Sequence, residues 1–257
     1  MTDLNDLRAR IDALDRELIR VVADRLAVCH EVARLKERSD TPIIQPARVR
    51  TVIDSRRQWA IDAGVDPDFA EQLVRVLLTE THRIEVARSR TEPAPSKEAA
   101  TGDRSGLDTV ASRVDHVVVA VEDLEAARSS LIDRLGFHDE PMAEPGPGIA
   151  VVSAGGVHLV LVSRAAGPEV AEYLNEHGPG VQHLSIEVLN AGYARAALET
   201  LGAPLLTEVA VDAHGHEHFF TVHDPNTGVQ FGFLSRTGHR VGFSASAVLS
   251  LFRALNQ

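Results

Sequence analysis

Steps of three and four residues from the start of the chain pick out Leu4, Leu7, Ile11, Leu14, Leu18, Val21, Arg25, Val28, Val32 and Leu35, the apolar stripe of one long helix running to Arg38. One member of that seam is a cation. An arginine facing a helical bundle keeps its charge, so Arg25 needs an anionic partner or must snorkel outward. Arg8 and Lys36 flank the same stripe, which suits a helix that holds a small polyanion. At ~1.5 Å per residue the helix is about 50 Å long, overhangs any core two further helices could supply, and wants a partner chain. A second helix is expected from Pro46 to Ala63, with Val49, Val52, Ile53 and Trp59 on its apolar side. A third opens with Asp66 as N-cap and Pro67 at its first position, then runs through Phe69, Leu73, Val76, Leu77 and Ile84.

Beyond residue 90 the pattern changes. Residues 91–112, TEPAPSKEAATGDRSGLDTVAS, hold one Leu, one Val and no aromatic residue, and read as a flexible linker between a helical domain at 1–90 and a second domain at 113–236. In that second domain the apolar residues fall in short β-branched runs: Val114–Val121, Ile149–Ser153, Val157–Ser163, Val181–Val188, His216–His223 and Gly228–Ser235. Amphipathic helical patches at Leu124–Leu135 and Ala191–Leu201 interleave with them, which makes the domain α+β. It also repeats itself: VDHVVVAVEDLEAARSSLIDRLGF and VQHLSIEVLNAGYARAALETLGAP share one layout, with 20 positions from His116 to Gly136 and 19 from His183 to Gly202. Two βαβββ units forming one cupped sheet follow, with the two histidines at equivalent places. The tail at 237–257 carries Val248, Leu249, Leu251, Phe252 and Leu255, a short amphipathic helix that docks on the rest.

Composition narrows the partners. With 257 residues, 44% hydrophobic and 25% charged, the chain has material for two modest cores. The single Cys29 rules out an intrachain disulfide and, with the polar start MTDLNDLR, points to the cytoplasm. A formal charge of -11 and the short apolar runs argue against nucleic acid and membrane. Residues 1–90 nevertheless hold 16 Lys plus Arg against 16 Asp plus Glu, so cations can dominate a pocket there.

The blocks LRARIDALD, ADRLAVCHEVARLK, the Pro-x-Arg of QPARV and LLTETHRIE together resemble the AroQ class of chorismate mutases over nearly all of residues 4–88. That resemblance implies an all-α three-helix domain in an intertwined homodimer. It places Arg8, Arg25, Lys36, Arg48, Thr81 and Glu85 in the catalytic site, with Gln45 and Val49 at the substrate and Arg8 reaching in from the partner subunit. Geometry agrees on the last point, because Arg8 and Arg25 are 17 residues apart, roughly 25 Å along one helix. Chorismate has two carboxylates and rearranges by a [3,3] shift that builds negative charge on its ether oxygen. Arginine forks and donors at that oxygen are the means of catalysis, and no cofactor is needed.

Two positions depart from the usual mutase. Val49 stands where a glutamate touches the ring hydroxyl, and Glu85 stands where many bacterial members have glutamine at the ether oxygen. Glu85 donates only when protonated, so activity is expected to fall as pH rises. The blocks PIIQPARV and TETHRIE look closer to the 4-amino-4-deoxychorismate mutases than to housekeeping enzymes. Val49 also occurs in the isochorismate pyruvate-lyase branch, which is one alternative activity.

DHVVVAVEDLEAA, GVQHLSIEV and HDPNTGV are similar to the vicinal oxygen chelate superfamily, in which a cupped sheet holds a divalent metal for dioxygenase or epimerase chemistry. By that resemblance His116 and His183 are metal ligands. The other two ligand positions carry Val160 and Gly232. His158 and Gln230 lie two residues away on the same strand faces and are possible ligand contacts. The cluster His214, His216 and His218 reads as an adventitious metal surface near a turn. The expectation is a cup that binds a small molecule without metal chemistry, the alternative being a divalent metal there with dioxygenase or epimerase activity.

Overall fold

The computed structural model describes residues 3–39, 41–88, 106–212, 214–236 and 243–255. Three helices fill the N-terminal part: α1 (Leu4–Glu37), α2 (Pro46–Asp62) and α3 (Pro67–Arg88). Each start has a local cause. Asp3 and Asp6 form a reciprocal capping box on α1; Pro46 occupies the first turn of α2; and the Asp66 carboxylate accepts from the Phe69 amide at 2.8 Å.

Among the described residues nothing covers the seam of α1. All nine apolar members are exposed, from 37% at Val32 to 69% at Leu14. α1 meets α3 through a neighbouring face instead, where Leu26, Cys29 and Ala33 pack on Ile84. An apolar stripe of this length left in water is a surface waiting for a second element.

The expected linker is shorter than 91–112. Residues 106–110 form α4 (Gly106–Val110), and β1 (Ala111–Val121) begins immediately after it. Residues 91–105 lie outside the described residues. Arg75 of α3 donates to the carbonyls of Asp108 (2.9 Å) and Ala111 (2.8 Å), and Thr79 shares a 2.9 Å hydrogen bond with Ser112. The helical part is thereby fastened to the sheet. One apolar cluster joins Ile44, Val49 and Ile53 of the helical region to Val110, Val188 and Leu189.

The rest alternates as α5 (Leu124–Leu135), β2 (His138–Glu140), β3 (Ile149–Ala154), β4 (Val157–Ser163), α6 (Pro168–His177), β5 (Gly180–Val188), α7 (Ala191–Thr200), β6 (Ala210–Val211), β7 (Glu217–Phe220), β8 (Phe231–Ser235) and α8 (Ala245–Leu255). The sheet order is β2-β3-β4-β1-β5-β8-β7-β6, symmetric about the antiparallel β1–β5 pair, with β1 parallel to β4 and β5 parallel to β8. These are the two βαβββ units. In both, the Leu-Gly step ends the helix because glycine accepts the left-handed turn: Gly136 has φ 75° and Gly202 φ 74°.

The tail docks in the first unit. Val248 and Phe252 of α8, with Phe243 ahead of it, share one core with Val118, Val151, Val160 and Val162. Among the described residues no helix is long and apolar enough to cross a membrane.

Candidate functional site

A cavity of about 410 Å³ opens between the three helices. Lys36 and Arg25 enter it from α1, Arg48, Val49 and Arg56 from α2, and Leu78, Thr81, His82 and Glu85 from α3, with Gln45 at the head of α2. Seven of the eight helical residues expected at the site thus meet in one place, with Val49 and Gln45 among them, while Arg25, Lys36, Arg48, Thr81 and Glu85 supply its polar wall. Arg8 sits on the exposed early turns of α1 and is not part of the lining.

The charges in this cavity are incompletely matched. Arg25 gives its Nη1 hydrogens to neutral acceptors, Thr81 Oγ1 at 2.9 Å and the Leu77 carbonyl at 3.3 Å. Arg56 stacks over Trp59 at 4.4 Å and donates to Ser55 Oγ at 2.9 Å; burial first, then repulsion from Arg48 and Arg25, lowers its pKa. The only carboxylate in the lining, Glu85, accepts from Lys36 Nζ at 3.0 Å, and that amine also donates to the Ile43 carbonyl at 2.7 Å. Burial pushes the Glu85 pKa up, and Lys36 opposes the rise without cancelling it. Three arginines and one already-paired lysine around an open space attract a dianion.

Sequence reasoning missed Arg56, His82 and Leu189. Arg56 lies two turns beyond Arg48 on one helix, and His82 falls on the stripe Leu78, Thr81, His82, Glu85, so both were readable from helical spacing. Leu189 comes from just past the end of β5 in the other domain, and no local pattern announces it.

The cup of the sheet is built differently. His116 on β1 and His183 on β5 each follow a bulge whose extra residue is Asp115 or Gln182. Each bulged side chain turns to hold the next imidazole by Nδ1: Asp115 Oδ2 at 2.8 Å from His116, and Gln182 Oε1 at 2.5 Å from His183. Arg236 clamps Asp115 with bonds of 2.8 and 2.7 Å. Burial alone would raise the Asp115 pKa, but His116 and Arg236 together hold it well below the usual carboxylate range.

Gln230 belongs to this scaffold rather than to a ligand surface. It is 2% exposed, accepts from Gln182 Nε2 at 3.1 Å and donates to the Thr221 carbonyl at 2.8 Å, which fixes the Gln182 amide against His183. His158 is also outside the cup lining and stands 5.8 Å from the Phe243 ring. The supposed surface cluster is corrected: His216 and His218 are buried and line the cup beside His116 and His183. Burial lowers the pKa of His218, takes His216 down to about 4 and His183 well below its ordinary value.

Two imidazoles with tethered Nδ1 atoms resemble ligands with their supporting shell, yet the remaining donors do not fit a metal. Val160 is fully buried in the core with Phe243. At Gly232 a Cβ would meet Phe220 at 3.0 Å and His183 at 3.1 Å, so no carboxylate fits there. Among the described residues no three His, Cys, Asp or Glu side chains are grouped to hold a metal ion. Phe243 packs 5.0 Å from His116, and the space left is about 40 Å³, enough for a few waters.

A helical cavity walled by cations, joined to a sheet of two βαβββ units, defines the class of protein. Residues 7–86 match the family model of chorismate mutase type II, and residues 115–221 match that of the glyoxalase/bleomycin resistance protein/dioxygenase superfamily. The 4-amino-4-deoxychorismate mutase of Streptomyces venezuelae is 40% identical over 88 residues, 33% of this chain and 85% of that protein. That of Streptomyces pristinaespiralis is 38% identical over 82 residues, 32% of this chain and 64% of that protein, so the chain spans slightly under two thirds of this relative. A solved methylmalonyl-CoA epimerase of Streptomyces coelicolor is similar at 23% identity with a TM-score of 0.40, covering 50% of this chain and 98% of that one. Through its N-terminal helices the chain belongs to the chorismate mutase type II family, and a glyoxalase-like domain follows them.

Proposed function

We propose that the helical cavity carries out a [3,3] rearrangement of a chorismate relative, either chorismate to prephenate or 4-amino-4-deoxychorismate to 4-amino-4-deoxyprephenate. The observation that carries this reading is Arg25, half-buried on the cavity wall with its hydrogen bonds spent on neutral acceptors. Its charge is free for a substrate carboxylate. Arg48 and Arg56 extend the cationic wall, and Lys36 and Glu85 stand as a bonded pair from which both can donate to the breaking ether bond. Such a site works by holding the compact conformer and stabilising developing charge, with no covalent intermediate and no cofactor.

The exposed seam of α1 supports a homodimer built on that helix. In it the partner subunit's Arg8 would supply the second carboxylate clamp, since Arg8 does not reach its own cavity. The setting is the cytoplasm, where the buried Cys29 stays a free thiol. The C-terminal cup serves small-molecule binding without metal chemistry.

Supplying chorismate and 4-amino-4-deoxychorismate separately to the purified protein, and identifying products by chromatography, tests the reading. At least one should be consumed many orders of magnitude faster than in buffer and yield its rearranged isomer. Release of pyruvate would replace the mutase by a lyase, and consumption of neither would end the proposal.

A further inference from the structure

The mutase reading leaves one buried polar group in the cavity without work. His82 is 6% exposed, lies on the inward stripe of α3 between Leu78 and Glu85, and its Nε2 has no hydrogen-bond partner. A buried nitrogen left unpaired is costly, and a small turn of the imidazole toward the adjoining cavity would let a ligand group complete it.

Resting on the mutase reading, we propose that His82 determines substrate specificity: its Nε2 accepts a hydrogen bond from the substituent at ring position 4 and selects the amino compound over the hydroxyl compound. The substituent needs an acceptor, and the other candidates are committed. Val49 offers none. Thr81 Oγ1 accepts from Arg25 and donates to the Leu77 carbonyl. Glu85 accepts from Lys36 through Oε2 and, as the acid, gives its proton to the ether oxygen; the Ile43 carbonyl accepts from Lys36, and the arginines only donate. Gln45 keeps a free amide oxygen, but that side chain is partly exposed and water serves it.

The protonation state suits the role. Burial, then the charges of Lys36 and Arg83, hold the His82 pKa down at about 3, so the imidazole is neutral and able to accept throughout the neutral range. An amino group is cationic there, and a bond from a charged donor is roughly twice as strong as one from a neutral hydroxyl. A second carboxylate in the cavity, lacking a lysine partner such as Glu85 has in Lys36, would pair with the arginines and quench the charge that holds the substrate. A neutral imidazole does not.

The test compares kcat/KM on both compounds for the unaltered protein, His82→Leu, His82→Gln and Gln45→Leu, all as full-length chains with circular dichroism to confirm folding. His82→Leu should lose tenfold to a hundredfold on the amino compound and less than about fivefold on chorismate. His82→Gln, which restores an acceptor, should keep the ratio within about threefold, and Gln45→Leu should affect both compounds alike. Equal losses in His82→Leu, a ratio that moves with Gln45→Leu, or a ratio that shifts in a folded His82→Gln would each overturn the assignment. If His82→Leu fails to fold, the His82→Gln and Gln45→Leu ratios decide. An unaltered protein that consumes neither compound removes the mutase reading itself, whereas an active one with an unmoved ratio removes only His82.

Discussion

Strand β5 connects two cavities of opposite construction. Its His183 lines the cup, and Leu189, just past its end, lines the helical cavity roughly 20 Å away at ~3.3 Å per residue. In the cup the charges close on themselves: Arg236 on Asp115, Asp115 on His116, and Phe243 over what remains. In the helical cavity Arg25 and Arg56 bond only neutral acceptors. Between the two lies Glu187, 1% exposed and held by both Arg83 of α3 and Arg113 of β1. Charge that is satisfied internally builds shape, and charge that is left over is reserved for something that arrives.

The largest effect should come from removing that reserve. Arg25→Ala deletes a charge-assisted clamp, and a loss of about 10³-fold in kcat/KM is expected, the upper range for one such donor. The helical circular dichroism should persist, because the seam around Arg25 is exposed and its partners Thr81 and Leu77 are bonded to each other. A variant that keeps more than a tenth of the activity would make Arg25 an ordinary structural cation and erase the contrast between the cavities.

Next in size is the opposite experiment, opening the cup. Phe243→Ala removes a ring packed on His116 and under Arg236, 5.2 Å from its centroid, and should cost about 3 kcal/mol of stability, read as a lower urea midpoint. Turnover of the chorismate relative should change less than twofold. Parallel loss of turnover at temperatures where the variant remains folded would show that the cavities are coupled through β5 and Glu187 rather than independent.

How far the sequence reached follows the range of the interactions. Helices came within a residue or two, because capping residues Asp3, Asp66 and Pro46 are local. The duplicated units were legible for the same reason. The strand β2 and the two-residue β6 were not, being too short to show alternation, and the α6 helix was missed although Pro168 marks its first turn. Alternation along β7 places His216, His218 and Phe220 on one face, a signal outweighed by the nearby turn. Nothing in the sequence reveals that Val49 faces an apolar cluster shared with Val188 and Leu189. That packing gives the missing reason for Val49, since a glutamate there would be buried against the second domain.

The smallest effect is also the most selective between the cavities. Glu85 can donate to an ether oxygen only as the acid. Burial raises its pKa, so the donating form persists to higher pH than for a free side chain, and the rate should be level below that raised value and fall by up to tenfold per pH unit above it. The stability sign is the same: a carboxyl that holds its proton more tightly when folded favours the fold at low pH, and that contribution is lost as pH rises through the folded value. His216 at about 4, His183 well below normal and His82 at about 3 do not imitate this slope, because they have finished titrating to neutral. Glu85→Gln donates at every pH, so its rate profile should be level where the unaltered protein declines. If the unaltered protein is itself level from acid to alkaline pH, Lys36 alone serves the ether oxygen, and Glu85 joins the cup's Asp115 as a charge that only holds its neighbour in place.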